Sequence, residues 1–195
     1  MQIDPRQIRG PWKSGYTLAA HTHSAEFIGY NEQGHAQFNT VRSEVGEAVY
    51  RLKYQGQQGA AADLAEAACD FLVAKGHSFD AVVPVPPSKI RKVQPVYAIT
   101  ELIAHRLGIQ YLQKGLRKTK DTPELKSLTD VEARKAALAE AFSASRGLLE
   151  GKIVLLVDDL YRSGASMEAA TAAILNEGGA ATVYALALTR TRTHR

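Results

Sequence analysis

The pattern of apolar and polar positions along the chain predicts a mixed α/β fold. Short apolar runs, β-branched in part and bounded by charges or glycines, are typical of strands buried on both faces of a parallel sheet. Four such runs occupy residues 82–85, 109–112, 153–157 and 182–188. Apolar residues at helical spacing separate them, most clearly in 96–107, which ends at Gly108, and after residue 166. We therefore expect a central, mainly parallel sheet flanked by helices.

The N-terminal part of the chain has a different pattern, with short strand-like pieces. Residues 26–30 and 35–41 flank the turn 31–34 and predict a hairpin, whereas residues 1–15 predict a poorly structured lead-in. Two helices follow: Ser43 caps the first, and the second runs over about 60–74. This divides the chain into a small N-terminal strand-rich β/α appendage, 1–45, and a main domain, 46–195.

Residues with a distinct chemical pattern follow the third buried run. Asp158 and Asp159 come directly after it, and Ser163, Gly164 and Ser166 lie in a small turn before a helix. A helix N-terminus has free backbone N–H groups and the positive end of the helix dipole, so it favours a phosphate. Carboxylates repel a phosphate but accept hydrogen bonds from the hydroxyls of a sugar. The stretch predicts a sugar-phosphate site.

This stretch resembles the motif with which type I phosphoribosyltransferases bind phosphoribosyl pyrophosphate (PRPP): an apolar run, two acids, a variable triplet, then Thr/Ser-Gly-x-Thr/Ser. The resemblance implies the type I phosphoribosyltransferase fold and a PRPP-dependent glycosyltransferase of nucleotide metabolism. Such an enzyme transfers the 5-phosphoribosyl group to a nitrogen nucleophile and releases pyrophosphate. It also implies that Asp158 and Asp159 are catalytic and take up Mg²⁺ together with PRPP. The residues that it assigns to the ribose and 5-phosphate are Asp158, Asp159, Leu160, Tyr161, Arg162, Ser163, Gly164, Ala165 and Ser166.

The same resemblance implies two further parts of the site. A loop after strand 82–85 would hold the pyrophosphate, and a hood over about 113–130 would close over the substrate and exclude water. Pro86 and Pro87 have no N–H to donate, so the donors of the loop come after them. The pyrophosphate candidates are Ser88, Lys89 and Arg91. The hood candidates are Arg117, Lys118 and Lys120.

Part of the chain is also similar to the ComF-like branch of this family, which includes predicted amidophosphoribosyltransferases. The matching residues are Leu116, Arg117, Thr122, Pro123, Leu128, Arg134, Ala141 and Phe142. With Cys69 as its one cysteine, the chain lacks the four-cysteine zinc module of that branch.

Arg162 stands where purine-salvage members carry an acid. A guanidinium cannot protonate a purine, so we expect hypoxanthine and guanine to be poor acceptors.

Composition adds weaker constraints. The chain has 195 residues, 45% of them hydrophobic, and a net charge of +4, which suits a polyphosphate substrate or weak contact with nucleic acid. No apolar run approaches the ~20 residues that span a bilayer, and no signal-peptide core is present. A lone cysteine cannot form an internal disulfide, so we expect a cytoplasmic protein. The resemblance implies a homodimer.

Other interpretations remain open. Asp158 and Asp159 could simply cap a helix after an ordinary turn. The chain could be a non-catalytic PRPP-binding regulator, or a ComF-like protein that handles nucleic acid during DNA uptake, because basic runs occupy 88–92, 114–120 and 190–195. His21 and His23 share a strand face, but no spacing typical of a metal site accompanies them. A dinucleotide site lacks its glycine fingerprint.

Overall fold

The computed structural model describes residues 1–87, 94–119 and 141–192. The strands are β1 (Arg6–Ile8), β2 (Ser14–Ala20), β3 (Thr22–Tyr30), β4 (Ala36–Arg42), β5 (Ala81–Pro84), β6 (Gln110–Tyr111), β7 (Leu116–Lys118), β8 (Phe142–Ala144), β9 (Ile153–Tyr161) and β10 (Thr182–Arg190). The helices are α1 (Glu44–Tyr54), α2 (Gly59–Ala74), α3 (Pro95–Leu107), α4 (Arg146–Leu149) and α5 (Ala165–Asn176), with a 3₁₀ turn at Gln113–Gly115.

Six of these strands form the central sheet, in the order β1-β2-β10-β9-β5-β6. Every pairing in it is parallel except that of β1 with β2. Helices α1, α2 and α3 contribute to the apolar core on one face, and α4 and α5 contribute to the core on the other. The predicted α/β architecture, with a mainly parallel sheet between helices, is confirmed. Within the described ranges, none of the helices has the length and apolarity needed to cross a bilayer.

Pro84 shows how β5 accommodates a proline. The carbonyl of Val82 accepts a hydrogen bond from Leu112 N at 3.0 Å, so Val82 faces β6. Backbone groups alternate along a strand, and Pro84 therefore faces the same side, where β6 has already ended. Because none of the described strands lies opposite this position, the N–H that proline lacks costs the sheet no hydrogen bond. On the other side, Val85 N donates to Val157 O at 2.8 Å.

The N-terminal segment contributes more to the sheet than its pattern suggests. The lead-in prediction for 1–15 is wrong, because β1 and the start of β2 lie there and Trp12 is buried between them. The Trp12 ring packs against Gly10 and Gly15, where a side chain would not fit. The predicted hairpin is found as β3 and β4, which pair only with each other in the described part of the chain. The division of the chain at residue 45 stays a prediction.

Candidate functional site

The two acids lie within a strand and not after it. The pattern predicts that the third core strand ends at Val157, but β9 continues to Tyr161. It can do so because β10 runs alongside in parallel register as far as Arg190, which pairs with Tyr161. Side chains alternate along a strand, so Asp159 shares the face of Leu155 and Val157, towards α1. Asp158 lies on the opposite face, towards α5.

Asp158 is partly buried and accepts a hydrogen bond from the backbone N–H of Asp159, with a distance of 2.7 Å from N to Oδ1. Burial, and then the charge of Asp159, raise the pKa of the Asp158 carboxyl from its ordinary value of 3.8 to about 7. The N–H groups of Asp159 and Leu160 and the charge of Lys53 act in the opposite direction. Near neutral pH, this carboxyl can therefore either hold or release a proton.

Asp159 has a cationic partner. The ammonium of Lys53, in the last turn of α1, lies 2.7 Å from Asp159 Oδ2. The main chain at Asp159 is held as well, since the Thr189 hydroxyl donates to its carbonyl oxygen at 2.8 Å. The two neighbouring acids are thus fixed by different groups, Asp158 by its own strand and Asp159 by α1 and β10.

His21 lies at the edge of this cluster. Its Nδ1 is 3.3 Å from the hydroxyl oxygen of Thr189. Burial, together with the charges of Lys53 and Arg42, lowers the pKa of His21, so the neutral ring is favoured. Among the described residues, no group of three His, Cys, Asp or Glu side chains could hold a metal ion. The position of His21 instead links the start of the hairpin to β10.

The turn after β9 leads into α5 through Gly164. This residue has φ +85 and ψ −17 and forms the N-cap of α5 without a side-chain bond. The acids therefore do not cap this helix, and that alternative interpretation is wrong. The helical backbone hydrogen bonds begin at Glu168, whose N–H donates to Gly164 O at 2.8 Å. Ala165 and Ser166 begin the helix, and helices leave the N–H groups of such positions available to a ligand.

The remaining motif residues surround this turn. Leu160 and Tyr161 are partly buried at the end of β9, and Arg162 and Ser163 are exposed in the turn. Burial, and then the nearby charge of Glu168, raises the pKa of the Tyr161 phenol. The motif therefore presents polar groups at the carboxyl end of a central strand, where parallel α/β sheets bind ligands.

The predicted pyrophosphate loop starts beside the acids. Val85 N bonds to Val157 O, so the chain leaves β5 at Pro86 next to the point where β9 reaches Asp158. The candidates Ser88, Lys89 and Arg91 lie outside the described residues.

The predicted hood starts with the 3₁₀ turn and β7, which pairs with β8 in an antiparallel sheet. Arg117 is exposed and Lys118 partly buried, whereas Lys120 lies outside the described residues. A cleft of about 500 Å³ lies between this segment and the end of β5. Its lining includes Pro86, Pro87, Tyr97, Lys114, Arg117 and Lys118, and none of the described residues that line it is a carboxylate.

Arg190 and Arg192 contact the N-terminal part of the chain. A guanidinium nitrogen of Arg190 lies 2.5 Å from Asp4 Oδ2, and the same side chain donates to Thr17 Oγ1 at 3.1 Å. Arg192 donates to the carbonyl oxygen of His23. The sequence leaves Arg190 and Arg192 as possible phosphate ligands. In the structure both hold the N-terminal strands instead.

A bound Mg²⁺ would require a particular set of donor atoms. The ion prefers oxygen ligands, keeps several waters and usually binds through one or two carboxylates plus substrate phosphates. Asp158 and Asp159 supply carboxylate oxygens, but the Lys53 ammonium already contacts one of them. The residues therefore fit an ion that arrives with a polyphosphate, and not one held by the protein alone.

The comparisons with known proteins concern the fold. No family model matches the chain, and no curated protein does. Among solved structures, glutamine phosphoribosylpyrophosphate amidotransferase from B. subtilis, complexed with ADP and GMP, is similar with 23% identity and a TM-score of 0.52. A structure described as the allosteric regulatory enzyme of purine biosynthesis is similar with 22% identity and a TM-score of 0.49. Each match covers 80% of this chain and 34% of the other, so the chain corresponds to about a third of those proteins.

The likeness to the B. subtilis enzyme shows that the chain has the type I phosphoribosyltransferase fold, as predicted. The ComF-like branch stays a prediction.

Proposed function

We propose that this chain is a PRPP-dependent phosphoribosyltransferase. The ribose of PRPP would lie on Asp158 and Asp159, and its 5-phosphate at the turn 162–166 and the N-terminus of α5. The observation that carries the proposal is the adjacency of three predicted parts at one edge of the sheet. The acids of β9, the N-terminus of α5 and the start of the loop after β5 lie next to one another.

In the reaction, the bond between the anomeric carbon of ribose and the pyrophosphate oxygen breaks, and a nitrogen nucleophile bonds to that carbon. The pyrophosphate leaves with the electron pair of the broken bond, and the sugar passes through a state with positive charge on the ring. Magnesium bound with PRPP would neutralise the leaving group. Asp158 and Asp159 face opposite sides of β9, so each would hold a different ribose hydroxyl at the end of the strand. Together they would place negative charge near the developing positive charge. Catalysis of this kind is positioning and electrostatic stabilisation.

Titration calorimetry with PRPP and magnesium tests the site. We expect wild type to bind, and both Asp158→Asn and Asp159→Asn to weaken binding by about 10- to 150-fold, the cost of one charge-assisted hydrogen bond. Asp70→Asn, which removes an exposed carboxylate of α2, is the matched control and should bind as wild type does. Wild type that does not bind PRPP would overturn the proposal.

A panel of nitrogen acceptors, with pyrophosphate release as the readout, tests the chemistry. Arg162 is exposed in the turn and cannot serve as the acid that protonates a purine, so hypoxanthine and guanine should react slowly. Rapid product formation from either base would contradict this expectation.

The second candidate is a PRPP-binding regulator or a ComF-like protein that handles nucleic acid. Its support is the cleft lined by Lys114, Arg117 and Lys118, whose described lining includes no acidic side chain. PRPP binding without pyrophosphate release from any acceptor would favour the regulator. DNA binding that weakens steeply with salt would favour the nucleic-acid role.

A further inference from the structure

Lys53 joins the N-terminal helix α1 to the acid pair. Its ammonium lies 2.7 Å from Asp159 Oδ2, and the two side chains are only 14% and 22% exposed. Water and salt screen such a pair less than an exposed one. The contact therefore places a lasting positive charge beside one of the two acids.

Asp159 is also fixed through its backbone. The single proton of the Thr189 hydroxyl is donated to Asp159 O, so the His21 ring, if it bonds to the same hydroxyl, must donate through Nδ1. The backbone N–H of His21 donates to Arg190 O at 2.8 Å, which holds His21 at the end of β10. Asp159 is thus held at its carbonyl from one side and at its carboxylate from the other.

The ion pair is not needed to attach α1 to the sheet. The apolar face of α1 does this, because Val45 and Val49 are fully buried and Leu52 is 2% exposed. Bringing two charges out of water is costly, and a partly buried ion pair often contributes little net stability. A role for Lys53 in the site accounts for the contact better than a role in folding.

The Asp159 side chain is 22% exposed, so its carboxylate is not closed off from a ligand by the contact with Lys53. An ionised carboxylate has about four lone-pair positions, and Lys53 uses one of them on Oδ2. The others can accept hydrogen bonds from sugar hydroxyls. The charge of Lys53 also offsets the repulsion between two carboxylates and a substrate that carries phosphates.

We propose that Lys53 is a positioning residue of the sugar-phosphate site, which holds the Asp159 carboxylate in the orientation that accepts the ribose hydroxyls. This inference rests on the proposed binding of PRPP. Lys53 acts through Asp159 and makes no contact with the reacting atoms.

A double-mutant cycle with PRPP and magnesium in the calorimeter tests it. The variants are Lys53→Met, Lys53→Arg, Asp159→Asn and the double variant Lys53→Met/Asp159→Asn. Arg51→Met is the matched control, because Arg51 lies on the same helix and pairs with Glu47 at 3.3 Å instead of with the acids. Urea unfolding of each variant separates a loss of affinity from a loss of folding.

We expect Lys53→Met to weaken PRPP binding by about tenfold or more, Lys53→Arg to restore most of it, and Arg51→Met to leave it unchanged. In the Asp159→Asn background, Lys53→Met should have little further effect, since the two residues act as a unit. If wild type binds PRPP and folded Lys53→Met binds equally well or more tightly, Lys53 has no positioning role and the proposed function stands. Wild type that binds no PRPP would overturn both.

Discussion

The phenol of Tyr161 occupies the space where a side chain on Gly164 would begin. A Cβ on Gly164 would lie 2.6 Å from the Tyr161 hydroxyl oxygen and 3.0 Å from Cζ. Gly164 also has φ +85, in the left-handed region that other residues adopt at a cost. The entry into α5 thus requires glycine for two separate reasons, one steric and one conformational.

Gly164→Ala should lower the free energy of unfolding by about 2 kcal/mol, because left-handed backbone costs a non-glycine residue about 1–2 kcal/mol and the new methyl must displace the Tyr161 ring. Urea unfolding measures the change. Gly147→Ala is the matched control, since Gly147 lies in α4 with open space where a Cβ would be. It should be neutral or slightly stabilising.

Adding Tyr161→Ala to Gly164→Ala separates the two reasons. The double variant removes the obstacle and keeps the strained backbone. If the double variant loses as much unfolding free energy as the two single variants lose in sum, the steric part of the argument is wrong.

Asp158→Asn should change how stability depends on pH. The Asp158 carboxyl has a pKa raised to about 7, so the folded protein binds its proton more tightly than the unfolded chain does. The free energy of unfolding of wild type should therefore fall as pH rises from about 4 to about 7. Asn retains an oxygen that accepts the Asp159 N–H but cannot ionise. Relative to wild type, the variant should therefore be more stable at pH 8, by an amount on the order of a few kcal/mol.

At pH 4 the same variant and wild type should differ little, because the carboxyl is protonated in the folded protein. Denaturant unfolding at pH 4, 6 and 8 checks this trend. Asp70→Asn provides the control, with no comparable gain at pH 8. An Asp158→Asn variant whose relative stability falls from pH 4 to pH 8 would contradict the sign.

Ser43 links α1 to the central sheet. Its hydroxyl oxygen accepts the N–H of Gly46 at 2.9 Å, and its proton is donated to Ala20 O. Ser43→Ala removes the cap and leaves the Ala20 carbonyl without its donor. Because Ser43 is only 4% exposed, we expect the free energy of unfolding to fall by about 2 kcal/mol.

Ser145→Ala is the comparison for this cap, since Ser145 precedes α4 without a side-chain cap bond. It should change stability by less than about 0.5 kcal/mol. Thermal or urea unfolding of the two variants distinguishes them. Equal losses would show that the Ser43 bonds contribute nothing specific.

Several parts of the fold and site could be predicted from local patterns. The Ser43 cap, the end of α3 at Gly108 and the helix after the motif follow from side-chain chemistry and backbone freedom within a few residues. The sequence predicts that Asp158 and Asp159 follow the third core strand. Their placement within β9 could not be predicted, because a charged pair normally ends a buried strand and only the neighbouring β10 extends the pairing to Tyr161.

The contact between Lys53 and Asp159 could not be predicted from the sequence. In sequence Lys53 is one basic residue in the last turn of a helix, where a cation favours the helix dipole and needs no further explanation. Its partner, Asp159, lies far along the chain, and no spacing rule relates the two. His21 and Thr189 are separated in the same way, so the sequence around His21 does not predict their contact.

By itself the sequence determined the four core strands β5, β6, β9 and β10, the hairpin, the helices α1, α2, α3 and α5, and the mainly parallel type of sheet. It also determined that an acidic motif precedes a helix, because all these features depend on periodicity and on residues close together in the chain. Only the tertiary structure decided that β2 completes the sheet beside β10, that Asp158 and Asp159 face opposite sides, and that Lys53 contacts one of them. Those relationships arise when distant segments pack, and packing depends on shape and burial that a linear pattern does not contain.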